Sequence, residues 1–312
     1  MNDDVSPSHR LAIIDLGTNT FHLLIVEIKT NGVPWSVLCR EREYVKLGAG
    51  GVKEISDESY HRAIETMKMF HLKCIKFGHP KVIAVGTACL RVARNATKLI
   101  REVFDQTGIQ IEVISGEKEA LLISKGIVLS LPEIKRPFLI MDIGGGSIEF
   151  IVCDVSGQIS FSKSYQVGVA ILFKKFHLND PISTLELQEI DSFLKNELND
   201  LIVHLDQFPQ LDLIGASGTF EVLGDALSSS KLNQYTAHVD IKSFYPFYSR
   251  VIKTNLKERM DMPEIPDSRA DLIVVALQTI HFILSQYPFQ KILVSEFALK
   301  EGLIKESIEQ TI

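Results

Sequence analysis

Two segments of the chain repeat one pattern of apolar and polar positions. The first reads LAIIDLGTNTFHLLIVEI over residues 11–28, and the second reads FLIMDIGGGSIEFIVCDV over residues 138–155. In each, an apolar run ends in Asp-x-Gly, small polar residues follow, and a second apolar run begins, so that Asp15 aligns with Asp142. Apolar runs joined by a Gly-rich turn predict a β-hairpin. Two matched hairpins, each with an aspartate just before its turn, indicate a duplicated architecture.

Apolar residues at helical spacing predict helices between and after the hairpins. Residues 57–76 place one apolar stripe on a helix, and Ser183 with Glu186 forms a capping box ahead of a helical pattern that runs to Leu201. Further helices are expected over residues 268–285 and 297–308, and strands over residues 81–85, 211–214 and 291–295.

The alternation of strands and helices predicts an α/β chain with two similar lobes, each opening with a hairpin. Residues 1–123 are assigned to the N-terminal lobe and residues 124–312 to the C-terminal lobe, with the last helix able to pack back on the first lobe. The stretch Glu133–Pro137 is a plausible turn between the halves.

Composition narrows the class of protein. Hydrophobic residues make up 46% of the 312 and charged residues 23%, which excludes disorder as the main state. The net charge of −6 argues against a broad nucleic-acid surface. Four scattered cysteines without CxxC spacing suit a reducing cytosol. A polar start with Asp3 and Asp4 does not fit a signal peptide, and residues 272–284 are too short and too polar for a membrane span. We therefore expect a cytoplasmic protein without nucleic-acid or membrane partners.

The Gly-rich turns are candidates for phosphate binding, because such turns expose backbone N–H groups that a side chain would shield. A third Gly-rich stretch follows the strand at 211–214; residues 215–219 are expected to form a loop that supplies a further cradle. Asp15 and Asp142 could hold Mg²⁺, which prefers carboxylate and phosphate oxygens. The predicted phosphate-binding residues of the three cradles are Gly17, Thr18, Asn19, Thr20, Gly144, Gly145, Gly146, Ser147, Gly215, Ser217, Gly218 and Thr219.

Several motifs together resemble the exopolyphosphatase/guanosine pentaphosphate phosphohydrolase (Ppx/GppA) family, in its short two-domain form. The resemblance covers essentially the whole chain. It implies two lobes of the actin, sugar kinase and heat-shock chaperone ATPase (ribonuclease H-like) type with a cleft between them. The stretches that carry it are Asp15–His22, Gly86-Thr87 through Leu90-Arg91 to Asn95, Ile114–Ala120, Asp142–Glu149, Gly215–Thr219, and Val294-Ser295 with Lys300–Gly302.

The sequence departs from the family pattern at three positions. Lys118 stands where the first glutamate of a Glu-Glu pair is usual, Ile148 replaces a threonine, and Lys300 replaces an arginine. These changes bear on substrate affinity more than on the chemistry.

The resemblance implies catalytic roles for Glu119 and Glu149. Glu119 would be the general base that orients a water and accepts its proton. From the sequence alone it could also be an acidic residue that favours the start of a helix. Glu149 would assist Asp15 and Asp142 at the metal, directly or through a water; a solvated strand face is the alternative reading of Glu149.

Two basic residues are candidates to neutralise bound phosphate. Arg91 follows Gly86-Thr87 at a strand end, and charge-assisted donors bind phosphate strongly. Lys46 precedes a Gly-rich stretch, which favours a contact with phosphate, but the sequence is equally compatible with an ordinary surface lysine.

The function expected from this pattern is Mg²⁺-dependent hydrolysis of the terminal phosphate of inorganic polyphosphate. Hydrolysis of the 5′-phosphate of guanosine pentaphosphate is an alternative, because the family includes both activities. A binding protein that senses nucleotide or polyphosphate without hydrolysis is a second alternative, and a sugar kinase is a third. The resemblance also suggests a homodimer.

Overall fold

The computed structural model describes residues 10–29 and 35–310, in two units. The first unit comprises Met1–Ser115 together with Leu303–Ile312, and the second comprises Gly116–Gly302. The sequence-based division after Ile123 falls inside a helix that spans Gly116–Ser130. The stretch 133–137, expected to separate the halves, lies within the second unit.

The first unit contains a five-stranded sheet in the order β3-β2-β1-β4-β5. Strand β1 pairs with β2 antiparallel and with β4 parallel. The elements of this unit, in chain order, are β1 (Arg10–Leu16), β2 (Phe21–Ile28), β3 (Trp35–Glu43), α1 (Asp57–Lys76), β4 (Lys81–Gly86), α2 (Ala88–Val92), α3 (Ala96–Thr107) and β5 (Ile111–Val113).

Helix α1 confirms the prediction made from its apolar stripe. The Ser56 hydroxyl accepts a hydrogen bond from the Ser59 backbone N–H and caps the first turn. The stripe is buried in one core with Phe21 of β2 and Leu99 of α3. The stripe consists of Tyr60, Ile64, Met67, Phe70 and Cys74.

The second unit contains a seven-stranded sheet in the order β10-β11-β12-β9-β6-β7-β8. Its elements are α4 (Gly116–Ser130), β6 (Phe138–Ile143), β7 (Ile148–Cys153), β8 (Ile159–Tyr165), α5 (Val169–Phe176), α6 (Thr184–Glu197), α7 (Asn199–Leu205), β9 (Asp212–Ala216), α8 (Ser217–Leu227), β10 (Ser228–Lys231), β11 (Thr236–Val239), α9 (Ile241–Val251), α10 (Leu256–Met260), α11 (Ile273–Gln286), β12 (Ile292–Ser295) and α12 (Leu299–Glu309). The last helix continues past Gly302, so its later residues belong to the first unit.

The duplication predicted from the sequence is present in the strand order. The stretch β8-β7-β6-β9-β12 repeats the order and directions of β3-β2-β1-β4-β5. The hairpin registers also match, since Asp15 pairs with His22 in β1-β2 and Asp142 pairs with Glu149 in β6-β7. Both predicted hairpins and the α/β class with two similar lobes are confirmed. The half-buried His22 lies at the position equivalent to Glu149.

Three elements differ in detail from the sequence-based expectation. The helix expected to run through Leu201 is interrupted at Leu198, between α6 and α7. Helix α11 begins at Ile273 instead of residue 268, and the preceding carbonyl of Ala270 accepts a hydrogen bond from Arg259 Nε at 2.7 Å. Arg259 lies outside the expected helical segment 268–285, and the spacing of apolar residues within that segment gives no information on this hydrogen bond. The stretch 215–219 is no loop: it is the end of β9 and the first turn of α8.

All four cysteines are free thiols; Cys74, Cys89 and Cys153 are buried and Cys39 is half-buried. Among the described residues, no helix has the length and apolar character needed to cross a bilayer.

Candidate active site

The first Gly-rich turn, residues 17–20, is closed by its own backbone. The Gly17 N–H donates to the Thr20 carbonyl at 3.1 Å, and a Cβ at Gly17 would lie 2.8 Å from that oxygen. The turn therefore requires glycine at this position. The Thr20 hydroxyl oxygen is buried and has no hydrogen-bond partner within residues 10–29 and 35–310. A buried hydroxyl of this kind is a ready contact for a ligand.

Neighbouring segments of the first unit hold this turn in place. The Lys46 N–H donates to the Asn19 carbonyl at 2.8 Å, the Gly48 N–H to the Thr18 carbonyl at 3.1 Å, and the Cys89 N–H to the Thr18 hydroxyl at 3.2 Å. Lys46 itself has a positive φ of 50°, an uncommon conformation for a residue with a side chain. The sequence candidate Lys46 thus lies against the predicted phosphate turn.

Arg91 lies in the same unit, in helix α2. Its Nη1 donates a hydrogen bond to the Ile114 carbonyl at 3.1 Å. Ile114 directly precedes the Ser115–Ala120 motif, so the guanidinium group is held at the chain segment that leads to Glu119.

The second Gly-rich turn, residues 144–147, repeats the geometry of the first. The Gly144 N–H donates to the Ser147 carbonyl at 3.0 Å, and a Cβ at Gly144 would lie 2.8 Å from that oxygen. Helix α5 supports the turn, because the N–H groups of Val169 and Ala170 donate to the carbonyls of Gly144 and Gly145 at 3.0 and 2.8 Å. A Cβ at Gly168 would come within 2.5 Å of the Gly145 backbone, so only glycine permits this approach.

Glu149 faces the interior of the second unit and is only 1% exposed. The hydroxyl groups of Ser147 and Ser164 each donate to its Oε1 at 2.6 Å. A solvated strand face is therefore excluded for Glu149. Because the Ser147 hydroxyl donates to this carboxylate, the phosphate contact predicted for Ser147 would have to come from its backbone N–H group.

Asp142 is buried at the end of β6, where the Ser217 hydroxyl donates to its Oδ1. Burial raises the pKa of Asp142; the hydrogen bond from Ser217 and the positive charge of Lys300 act in the opposite direction, and Glu221 raises the pKa further. Ser217 has a φ of +69°, a strained conformation for serine, at the junction of β9 and α8. The strained turn directs this hydroxyl to Asp142.

We expect Asp142→Asn to be more heat-stable than the wild type at neutral pH in metal-free buffer. The pKa of Asp142 is raised in the folded state, so the unfolded chain ionises first as the pH rises above the ordinary value of 3.8. The folded state then bears the cost of a buried charge, which asparagine removes. Differential scanning fluorimetry from pH 3 to 8 should show a difference in Tm that shrinks as the pH falls.

Asp154→Asn is the matched control at the far end of strand β7. Hydrogen bonds from Ser156 and Gln158 lower the pKa of Asp154, so its replacement should change the Tm in the opposite direction. Equal behaviour of the two variants across this pH range would contradict the assignment of a costly buried charge to Asp142.

Glu119 lies in the first turn of α4 and is 7% exposed. Helix α4 packs on strands β7 and β8, and a Cβ at Gly116 would lie 2.6 Å from Ser164 Cβ. Ser164 in turn donates a hydrogen bond to Glu149, so the start of α4 is attached to strand β7, which begins directly after the Gly144–Ser147 turn. An acidic side chain in the first turn of a helix interacts favourably with the positive end of the helix dipole.

The two glycines of the third stretch have packing partners. The ring of Phe220 occupies the space that a Cβ at Gly215 would need. The Arg269 guanidinium group lies against Gly218, with Nε 2.6 Å from the position of a Cβ. The first turn of α8 therefore offers N–H groups beside an arginine, which is a favourable setting for an anion.

The residues proposed for the metal fall in both units: Asp15 in the first, Asp142 and Glu149 in the second. Residues that pair across strands point to the same face of a sheet, so the register places Asp142 and Glu149 on one face of the β6-β7 hairpin. The described part of the chain has no group of three or more His, Cys, Asp or Glu side chains that could hold a metal ion. Mg²⁺ commonly uses one or two carboxylates and completes its ligands with water and substrate phosphate, so this donor pair fits the ion.

Known proteins resemble this chain over nearly its whole length. The sequence profile of the Ppx/GppA phosphatase family matches residues 24–311. The chain belongs to the Ppx/GppA phosphatase family. The crystal structure of an exopolyphosphatase from Cytophaga hutchinsonii is 31% identical with a TM-score of 0.91, and the match covers 96% of this chain and 98% of that one.

Two further relatives span the whole chain. A family member from Aquifex aeolicus shares the fold, with 22% identity and a TM-score of 0.78 over 98% of this chain and 99% of that one. A Haemophilus influenzae protein, named as a proposed exopolyphosphatase, is 26% identical over 97% of this chain and 95% of that protein. The resemblance read from the motifs and the assignment as a hydrolase are thereby confirmed, and the solved structures share the fold of this chain. The magnesium requirement, the homodimer and the cytoplasmic location stay predictions.

Sequence reasoning missed three residues that shape the site: Ser164, Gly168 and Arg269. The alternation in ISFSKSY over residues 159–165 could have revealed strand β8 and placed Ser164 on one face with Ser160 and Ser162. Gly168 and Arg269 meet the Gly-rich segments only through the fold, and no local signal marks them.

Proposed function

We propose that this protein is an exopolyphosphatase that hydrolyses the terminal phosphate of inorganic polyphosphate. The observation that carries the proposal is the chain-long match, at 31% identity, to the exopolyphosphatase of Cytophaga hutchinsonii. Two backbone turns of equal geometry, one in each unit, support it, because Gly-rich turns of this kind can bind phosphate oxygens through their backbone N–H groups.

In the proposed reaction Glu119 acts as the general base. Hydrolysis of a phosphoanhydride needs a positioned water whose proton is accepted as the bond to phosphorus forms. Glu119 is a buried carboxylate at a helix start, attached through Gly116 and Ser164 to the strands of the Gly144–Ser147 turn. That attachment fixes the base relative to the turn proposed to hold the terminal phosphate.

Asp142 and Glu149 are the proposed Mg²⁺ ligands of the second unit, and Asp15 is the equivalent residue of the first. When bound, Mg²⁺ offsets negative charge on the phosphoryl group that is transferred. Ser217 and Ser164 hold the two carboxylates of the second unit through hydrogen bonds. The backbone N–H groups of the turn then orient the phosphate, and the burial of Glu119 limits its contact with bulk water.

Competition kinetics test the substrate. Polyphosphate demands only repeated neutralisation of charge, whereas guanosine pentaphosphate also needs contacts to a base. We expect kcat/KM for long polyphosphate to exceed that for pentaphosphate when both compete in one reaction, and EDTA to abolish phosphate release. Affinity for polyphosphate should fall as salt rises.

The other outcomes separate the rival functions. A preference for pentaphosphate would assign the protein to the guanosine pentaphosphate phosphohydrolases. Binding of either compound without release of phosphate would identify a sensor instead of an enzyme.

A further inference from the structure

Lys300 lies at the edge of the second sheet where the site residues gather. Strands β6, β9 and β12 are mutually parallel, so their carboxyl ends meet at one edge. Asp142 is near the end of β6, and Ser217 directly follows β9. Helix α12 begins at Leu299, shortly after the end of β12, and Lys300 is its second residue.

Two glycines fix helix α12 against helix α4. A Cβ at Gly302 would lie 2.6 Å from the Leu122 carbonyl carbon and closer still to its oxygen. A Cβ at Gly126 would likewise overlap the Ala298 carbonyl group. The backbones of the two helices are thus in direct contact. On α4 the contact at Leu122 lies within one turn of Glu119, and on the other segment the contacts at Ala298 and Gly302 lie on both sides of Lys300.

The rotation of α12 about its axis is fixed by Glu301. Its Oε2 accepts a hydrogen bond from the Ala298 N–H at 2.9 Å, and the side chain is 1% exposed. With Glu301 buried and Gly302 on α4, the half-buried Lys300 is held where its positive charge acts on the Asp142 carboxylate.

Lys300 carries a positive charge in a unit that contains several buried acidic residues. The buried acids Glu119, Asp142 and Glu149 would repel an incoming polyphosphate chain. Lys300 forms no hydrogen bond or ion pair with any residue that the structure describes, whereas Lys305 of the same helix pairs with Glu309 at 3.5 Å. The Lys300 ammonium group is therefore available to a ligand.

We propose that the ammonium group of Lys300 binds a phosphoryl oxygen of the substrate beside Asp142 and thereby offsets the repulsion by the buried acids. This inference rests on the proposed function for the identity of the substrate. Lys300 is thus a substrate-binding residue, and the helix crossing at Gly126 and Gly302 sets its position.

The test compares wild type, Lys300→Gln, Lys300→Arg and Lys305→Gln, the last as a control that removes one charge from the same helix. We expect Lys300→Gln to raise KM for long polyphosphate about tenfold to a hundredfold, with a much smaller change in kcat. Lys300→Arg should restore most of the affinity, and Lys305→Gln should match the wild type. The dependence of KM on salt should become shallower in Lys300→Gln.

Calorimetric binding of inorganic tripolyphosphate to the same proteins separates this inference from the proposed function. If the wild type releases no phosphate from polyphosphate, the proposed function fails, and weaker tripolyphosphate binding by Lys300→Gln still supports the role of Lys300. An unchanged affinity for tripolyphosphate in Lys300→Gln would overturn the inference. So would a loss of kcat at constant KM, because the lysine would then act on Asp142 and not on the substrate.

Discussion

Replacement of Glu119 by glutamine should lower kcat by roughly 10²–10⁴ while the fold and the affinity for polyphosphate are retained. Glutamine keeps the size of the buried side chain and its position in the first turn of α4, but it cannot accept the proton of the attacking water. The loss should appear in kcat and not in KM, since the carboxylate acts on the water and not on the phosphate chain. Steady-state phosphate release, with circular dichroism as the check on folding, measures it.

Two neighbours on the same helix turn provide the controls. Glu117 is exposed, so Glu117→Gln should leave turnover near that of the wild type. Lys118→Glu introduces the Glu-Glu pair that is usual in the family, and it should change activity far less than Glu119→Gln. Near-normal turnover of Glu119→Gln would remove this residue from the mechanism, and an essential Lys118 would show that the two positions had been aligned wrongly.

The parts of the fold that the sequence predicted are those determined locally. The spacing of apolar residues identified α1, and the Asp-x-Gly turns identified both hairpins. A tight turn also sets the register of the strands it joins, so the pairing of Asp142 with Glu149 follows from the turn itself. The similarity of the two halves could also be predicted from the sequence, because the repeated hairpin pattern lies in consecutive residues of each half.

The parts that the sequence did not predict depend on contacts between distant segments. The Gly215–Thr219 stretch was interpreted as a loop because it is rich in small residues. In the structure these glycines instead admit Phe220 and Arg269, and the chain passes from strand to helix without a loop. Similarly, Arg259 binds the Ala270 carbonyl across eleven residues, just ahead of the start of α11. Periodicity within one segment carries no information on such partners.

Helices α4 and α12 cross in direct backbone contact at Gly302. Gly302→Ala should lower the free energy of unfolding by roughly 3 kcal/mol, at the upper end of the usual cost of overpacking. The new methyl group would overlap the Leu122 carbonyl, and because that group is backbone it cannot rotate away. Alanine would otherwise stabilise a helix by about 1 kcal/mol relative to glycine, so the expected change has the opposite sign to helix propensity. Urea denaturation followed by circular dichroism measures it.

Gly224→Ala in α8 is the matched control within a helix. Its methyl group would meet only the Val294 side chain, at 3.2 Å, and side-chain atoms can adjust by a few tenths of an ångström. We therefore expect its free energy of unfolding to lie within about 1 kcal/mol of the wild type.

If Gly302→Ala proved as stable as Gly224→Ala, helices α4 and α12 would have to separate at little cost in free energy. Glu119 is on α4 and Lys300 is on α12. Such a separation would mean that the crossing does not fix the position of the proposed base relative to the proposed phosphate-binding lysine. The stability of this one variant therefore decides whether the crossing can position both residues.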